Sequence, residues 1–233
     1  MSKPLDFTVV AAPLATMQDT YTDFCRDFPP EERISWERIA GLYQRGRYQG
    51  IIARNGAERV GYGWLLTISE LRLGWLDYVA IRGAVRESGY GSRMIRGLWD
   101  LWPTWKGLLL EIEKEPTTKP GAPISLQARR WHFYQRLGAV RLNVAYALPT
   151  KDGPVPMDLL WLPRTMGDSI HSDTLWTAVR MAFDGIHDDV PDRLALWHVL
   201  QKPSQYHGPL PYGSSQGLPR GCLAVGYFRM QLA

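Results

Sequence analysis

The sequence predicts a mixed α+β fold, with strands and helices interspersed along the chain. Three observations carry that expectation. Asn55-Gly56 lies between two apolar runs, YQGIIAR and RVGYGWLLTI, and marks a β-hairpin. Segments 15–27 and 31–45 repeat apolar residues at helical spacing. Short apolar runs elsewhere are bounded by glycine or proline, as strands are.

In chain order, residues 6–12 alternate weakly and read as a first strand, followed by helices over 15–27 and 31–45. Pro30 and two glutamates supply an N-terminus for the second helix, whose Ile34, Ile39, Leu42 and Tyr43 share a face. The hairpin comes next, then LRLGWLDYVAI (71–81), apolar and aromatic enough for a central strand. A helix then runs to about Trp102 and ends at Pro103. GLLLEIE (107–113) reads as a buried strand, and a loop with Pro116, Pro120 and Pro123 leads to the helix QARRWHFYQRLG, capped by Gly138. Strands are expected at 139–148 and 156–162, and two helices within 172–201 split at Val190-Pro191. A glycine- and proline-rich stretch (203–221) and an apolar run, CLAVGYF, follow. The main domain is therefore expected over 1–165, with 166–233 as a C-terminal extension that covers it or pairs with a second subunit as a homodimer.

Hydrophobic residues make up 45% and charged residues 21% of the 233-residue chain, the balance of a soluble globular protein. No apolar run approaches the roughly 20 residues that span a bilayer, so no membrane partner is expected. FTVVAAPLA near the N-terminus follows Asp6 and lacks a cleavage site, which favours a strand over a signal peptide. Two cysteines, Cys25 and Cys222, are too few for a disulfide framework or zinc site and point to a reducing cytoplasm. The net charge of +4 is mild, and without an aromatic RNA motif or a basic helix no nucleic-acid partner is expected.

The chemistry begins at RESGYGSRM (86–94). Two glycines open a helical pattern directly after a strand, although glycine costs a helix about 1 kcal/mol relative to alanine. Bare N–H groups at a helix start, aided by the helix dipole, hold anions, and Gly89 and Gly91 would let a phosphate reach them between Arg86 and Arg93. The same residues also suit a close-packed turn that binds nothing, and the nonapeptide alone leaves both readings open. GxxxxGK[ST] is absent and GxGxxG is not matched, which argues against a nucleoside triphosphate or NAD.

VAIRGAVRESGYGSRMI resembles motif A of the GNAT superfamily of acyl-CoA-dependent N-acyltransferases, [QR]xxGx[GA], with Arg86, Gly89 and Gly91 at its defined positions. FYQRLGA (133–139) is similar to motif B, FYxxxGF, and the element order over residues 6–162 agrees with that family. The resemblance implies α/β/α layers, with helices flanking a mixed, mainly antiparallel twisted sheet splayed between its fourth and fifth strands, and the pantetheine arm of acetyl-CoA, or another acyl-CoA, lying in the gap like an extra strand. Val79 and Ile81 would offer backbone groups to that arm. Arg86, Glu87, Ser88, Gly89, Tyr90, Gly91 and Ser92 would surround the diphosphate, and Arg130 would reach phosphate or ribose.

The implied activity is direct transfer of an acyl group to a primary amine, carried by a small molecule or a peptide, with no metal. Tyr134 stands at the motif B tyrosine and would be the acid for the leaving thiolate; a phenol near pKa 10 suits that donation. Glu111 aligns with a carboxylate used as base, with Asp77 as its rival. Alternation places Glu113 on the face of Glu111. A GNAT fold that only binds or senses acyl-CoA is the alternative. The asparagine common after the fifth strand is missing, and Gly138-Ala139 replaces Gly-Phe.

Other patterns carry less. GSSQG (213–217) matches the GxSxG nucleophile motif but is surrounded by prolines, without the strand and helix that motif needs. The five histidines show no metal-ligand spacing. Tyr62, Trp64, Trp75 and Tyr78 fall on adjacent expected strands, as core residues or as the wall of an acceptor pocket.

Overall fold

Four antiparallel strands form one half of the sheet: β1 (Phe7–Ala12), β2 (Tyr48–Asn55), β3 (Glu58–Ile68) and β4 (Leu73–Ile81). In the computed structural model, which describes residues 7–115, 123–201 and 230–231, they lead through a parallel crossover into the other half. The expected hairpin joins β2 to β3, and Gly56 adopts the φ of +60° that its missing Cβ permits. Helix α4 (Tyr90–Leu101) makes the crossover to β5 (Gly107–Glu113), which pairs antiparallel with β8 (Val155–Pro163). The path through the sheet is β1-β2-β3-β4-β5-β8-β6, where β6 is Val140–Arg141, with β7 (Tyr146–Leu148) also on β8 and a short β9 (Met230–Gln231) on β4.

Two hydrophobic clusters, one on each face, hold the layers together. On the first face lie Met17 of α1 (Leu14–Gln18), Phe24 of α2 (Tyr21–Asp27), and Ile39 and Leu42 of α3 (Trp36–Gln44). Leu175, Val179 and Phe183 of α6 (Ser172–Ile186) join the same cluster, as does Leu200 of α7 (Arg193–Leu200). The helices expected beyond residue 165 thus share a core with the strands. Arg38 adds an ionic tie to Asp188 and Asp189, and Arg45 bonds Asp188 at 2.6 Å. The opposite face buries Met94, Ile95 and Leu98 of α4 and Tyr134 of α5 (Leu126–Arg136) against Leu108, Leu110 and Ile112.

Three expected elements differ in detail. Segment 15–27 breaks into α1 and α2 where the Thr20 hydroxyl donates to the Met17 carbonyl at 2.6 Å, a local bond that competes with helix propagation. Pro30–Glu32 is a 3-10 turn rather than the start of α3; the helix begins after Ser35, whose hydroxyl accepts from the Arg38 N–H. The strand expected over 139–148 is two, β6 (Val140–Arg141) and β7 (Tyr146–Leu148). Arg141 faces Leu160 and Tyr146 faces Met157, so five steps along one chain span three on the other, and the surplus loops out.

A similar irregularity shapes the sheet's centre. Trp64 pairs with Tyr78 but Leu65 pairs with Leu76, which makes Asp77 an extra, bulged residue in β4. A bulge bends the strand that carries it. Pairing of β4 with β5 runs from Leu73–Gly107 to Leu76–Leu110 and stops at that bend, and the two strands then diverge.

Candidate active site

The divergence opens beside the turn after β4. Gly89, the residue before α4, has φ +77°, a left-handed conformation suited to glycine, and Glu87 also has a positive φ of 64°. These turn the chain sharply into a twelve-residue helix whose first internal bond runs from the Arg93 N–H to the Gly89 carbonyl. The N–H groups of Tyr90, Gly91 and Ser92 precede that bond and form a positive helix end. Arg86, Glu87, Gly89, Tyr90, Gly91 and Ser92 line a cleft of about 540 Å³, with Ile81 at its inner end.

The far wall of this cleft comes from α5. Arg129, His132, Phe133 and Arg136 line it, so three arginines (86, 129 and 136) face it against one carboxylate, Glu87. Sequence reasoning missed this wall, although 129, 132, 133 and 136 have the spacing of one helix face. Arg130, expected at the phosphate or ribose, lies on the other face of that helix. It is 1% exposed, bonds both oxygens of Glu113 at 2.7 and 2.6 Å, and is not among the cleft's lining residues. This corrects its expected role: the Arg130–Glu113 pair ties α5 to β5. Ser88 is also displaced from expectation; it is exposed outside the cleft lining, and its hydroxyl donates to the Arg86 carbonyl. Arg93 stacks on the Phe7 ring at 4.1 Å rather than closing on the cleft. Arg86 does line it, braced by a 3.0 Å bond from its Nε to the Ile81 carbonyl.

Val79 and Ile81 lie on the stretch of β4 beyond its contact with β5, and both are buried. That stretch is paired on one side with β3. On the edge facing the divergence, Met230 and Gln231 run parallel to Val79 and Ala80.

The root of the divergence carries two buried carboxylates. Asp77 follows Leu76 and Glu111 follows Leu110, the last residues paired in the β4–β5 ladder. They are 2% and 3% exposed, which places both away from bulk solvent. The Tyr48 hydroxyl donates to Asp77 at 2.7 Å, and the Tyr146 hydroxyl donates to Glu111. Tyr134 lies across the sheet in the second cluster, with Val79, Ile81 and Ile112. Burial pushes its phenol well above the usual value of 10, and the Arg130 charge only partly opposes this. It therefore keeps its proton at neutral pH, and the same burial makes it a weaker acid than a free phenol.

A second cleft, of about 410 Å³, opens on the face of the first cluster. The loop before α3 (Glu32 to Ser35), the β7–β8 turn (Pro149 to Asp152) and the segment after α6 (His187 to Val190) surround it. Tyr78 of β4 and Met157 of β8 form its floor. The Tyr78 hydroxyl donates to the Glu32 carbonyl at 2.7 Å, and Tyr62 donates to Asp27 at 2.8 Å. Tyr62, Trp64 and Trp75 are fully buried core, and of the four aromatics only Tyr78 reaches the cleft.

The ordering of strands, the parallel crossover through α4 and the early end of the β4–β5 ladder decide the architecture. It is the GNAT fold. No protein-family model and no curated protein matches the chain. Among solved structures, a protein described as a GNAT-family acetyltransferase from Bacteroides thetaiotaomicron superposes with a TM-score of 0.60 at 21% identity, over 77% of this chain and 97% of its own. A Staphylococcus epidermidis structure described as an acetyltransferase gives 0.52 at 11% identity, covering 68% and 99%. The ribosomal-protein-S18-alanine N-acetyltransferase of Escherichia coli gives 0.50 at 17%, covering 70% and 96%. Within this GNAT fold, no group of three metal-ligating side chains occurs among the described residues, and none of their helices is long and apolar enough to cross a membrane. GSSQG, Cys222, His207 and CLAVGYF lie outside the described residues.

Proposed function

We propose that this protein is an acyl-CoA-dependent N-acyltransferase, with acetyl-CoA as the simplest donor and a primary amine as acceptor. The observation that carries this reading is the continuity of the site. A helix-end anion cleft reaches Ile81 at the end of β4, and that strand leads back to the root of a split where two carboxylates are buried. An acyl-CoA has that order of parts: a diphosphate, an extended amide-bearing arm and a reactive thioester.

The residues present fit such a molecule. The N–H groups of residues 90–92 and the guanidinium groups of Arg86, Arg129 and Arg136 hold its phosphates. Once Met230 and Gln231 leave it, the β4 edge at Val79 and Ala80 presents the backbone groups that an extended arm can pair with. When bound, the acyl-CoA supplies an activated acyl carbon whose bond to sulfur breaks as the bond to nitrogen forms.

The amine enters from the second cleft, on the opposite face, as an ammonium that must lose a proton before it can attack. Glu111, or Asp77 beside it, accepts that proton, directly or through water. Tyr134, kept protonated by burial, gives the departing thiolate a proton and regains the second proton that the acylated nitrogen releases. Fixing donor and acceptor on opposite sides of one gap removes much of the entropic cost of their meeting.

The test has two stages. Acetyl-CoA or CoA should raise the melting temperature, whereas NAD should not. Thiol release with pooled amines should then fall at least tenfold in Tyr134→Phe and in Glu111→Gln. Binding without turnover for any amine would support a non-catalytic acyl-CoA sensor. An unchanged melting temperature with both CoA species would overturn the reading altogether.

A further inference from the structure

The edge of β4 that the acyl-CoA arm would use is occupied by the protein's own C-terminal strand. β4 and β5 last pair at Leu76–Leu110, and three residues further along β4 the chain pairs instead with Met230 and Gln231. The pairing is parallel, within the gap that the bulge at Asp77 creates. Each backbone residue has one N–H and one carbonyl, and those directed into the gap serve one strand-like partner at a time. The cleft at the α4 N-terminus, by contrast, stays open at about 540 Å³ while β9 is in place.

We propose that β9 is an intramolecular competitor of the acyl-CoA arm, a tethered pseudo-ligand that must leave β4 before the arm can pair there. This rests on the acyl-CoA reading above and adds its regulation. Two consequences follow from the geometry. The phosphates can bind first, since β9 does not line their cleft. The apparent affinity for the whole molecule is lowered by the fraction of chains in which β9 is seated. β9 is short, so its hold is weak enough to be displaced.

The competition is read by calorimetry on the full-length chain carrying Met230→Pro and Gln231→Pro together. In a parallel pair alternate residues bond the neighbouring strand, so replacing both removes the N–H donor in either register. Gln231→Asn, which keeps the backbone intact, is the control. Two probes are used: CoA, and ADP, which has the diphosphate but no arm. The double variant should bind CoA about fivefold tighter or more, the effect of one lost backbone bond, with ADP unchanged. Gln231→Asn should behave as the parent for both.

Equal CoA affinity in parent and double variant would overturn the proposal while leaving the acyl-CoA reading intact. A matching gain for ADP would also overturn it, because the cleft rather than the edge would have changed. CoA binding to neither protein would overturn the acyl-CoA reading itself, and this inference with it.

Discussion

Replacing Glu113 with glutamine keeps the side chain's shape and removes the charge that the Arg130 guanidinium faces. In the structure that guanidinium is 1% exposed and bonds both carboxylate oxygens, and Glu113 itself is 13% exposed. Breaking a buried pair from one side costs roughly 3–5 kcal/mol. Glutamine retains one acceptor and Glu113 lies near the rim, so about 2–3 kcal/mol is expected here. For a chain of this size that lowers the melting temperature by about 4–12 °C. Urea unfolding measures the same loss as a shifted midpoint at constant slope. CoA affinity, titrated below the melting transition, should stay within about twofold, because Arg130 does not line the phosphate cleft. A loss of stability below about 1 kcal/mol, or CoA affinity that follows the Arg130 charge, would refute the assignment of Arg130 to structure and return it to the cofactor.

Gly107→Ala places a Cβ 2.2 Å from the Trp161 ring and 2.7 Å from the Leu162 carbonyl. Overpacking of this kind costs about 1–3 kcal/mol, so thermal unfolding should fall while CoA affinity, governed at the far end of β5, does not change. Asp188 gives a pH signature. Burial acts to raise its carboxyl, but hydrogen bonds from Arg38 and Arg45 outweigh it and hold the group below the ordinary 3.8. A depressed carboxyl contributes stability that is complete above its unfolded value and disappears as pH falls through the lower folded value. Asp188→Asn should therefore destabilise by at most about 1 kcal/mol at neutral pH and by nothing in acid below both values, seen as melting curves that converge there.

The sheet's outline was legible because its signals are local. Asn55-Gly56, the apolar run to Ile81 and GLLLEIE each specify strand or turn without help from distant residues. The anion cleft's near wall was legible for the same reason, since Gly89 and its neighbours act through backbone geometry within one turn. Features that depend on partners far along the chain were not. Arg130 and Arg129 are adjacent and chemically alike, and only the packing of α5 on β5 decides which is buried. The bulge at Asp77 is a mismatch of register between β3 and β4, and no single strand's sequence encodes it. Ser35 displaced Pro30 as the start of α3 because the serine hydroxyl caps an N–H, whereas proline at Pro30 only fixes a dihedral angle.

The early end of the β4–β5 ladder also has a mechanical consequence. Among the described residues, main-chain bonding between the two halves of the sheet is confined to Arg72–Leu76 and Lys106–Leu110. That seam works as a narrow hinge, with one wall of the gap on each leaf. Small rotations about it change the width of the gap far more than they disturb either leaf, so amide exchange at Leu76 and Leu110 should register occupancy of the site before any other pair of strands does.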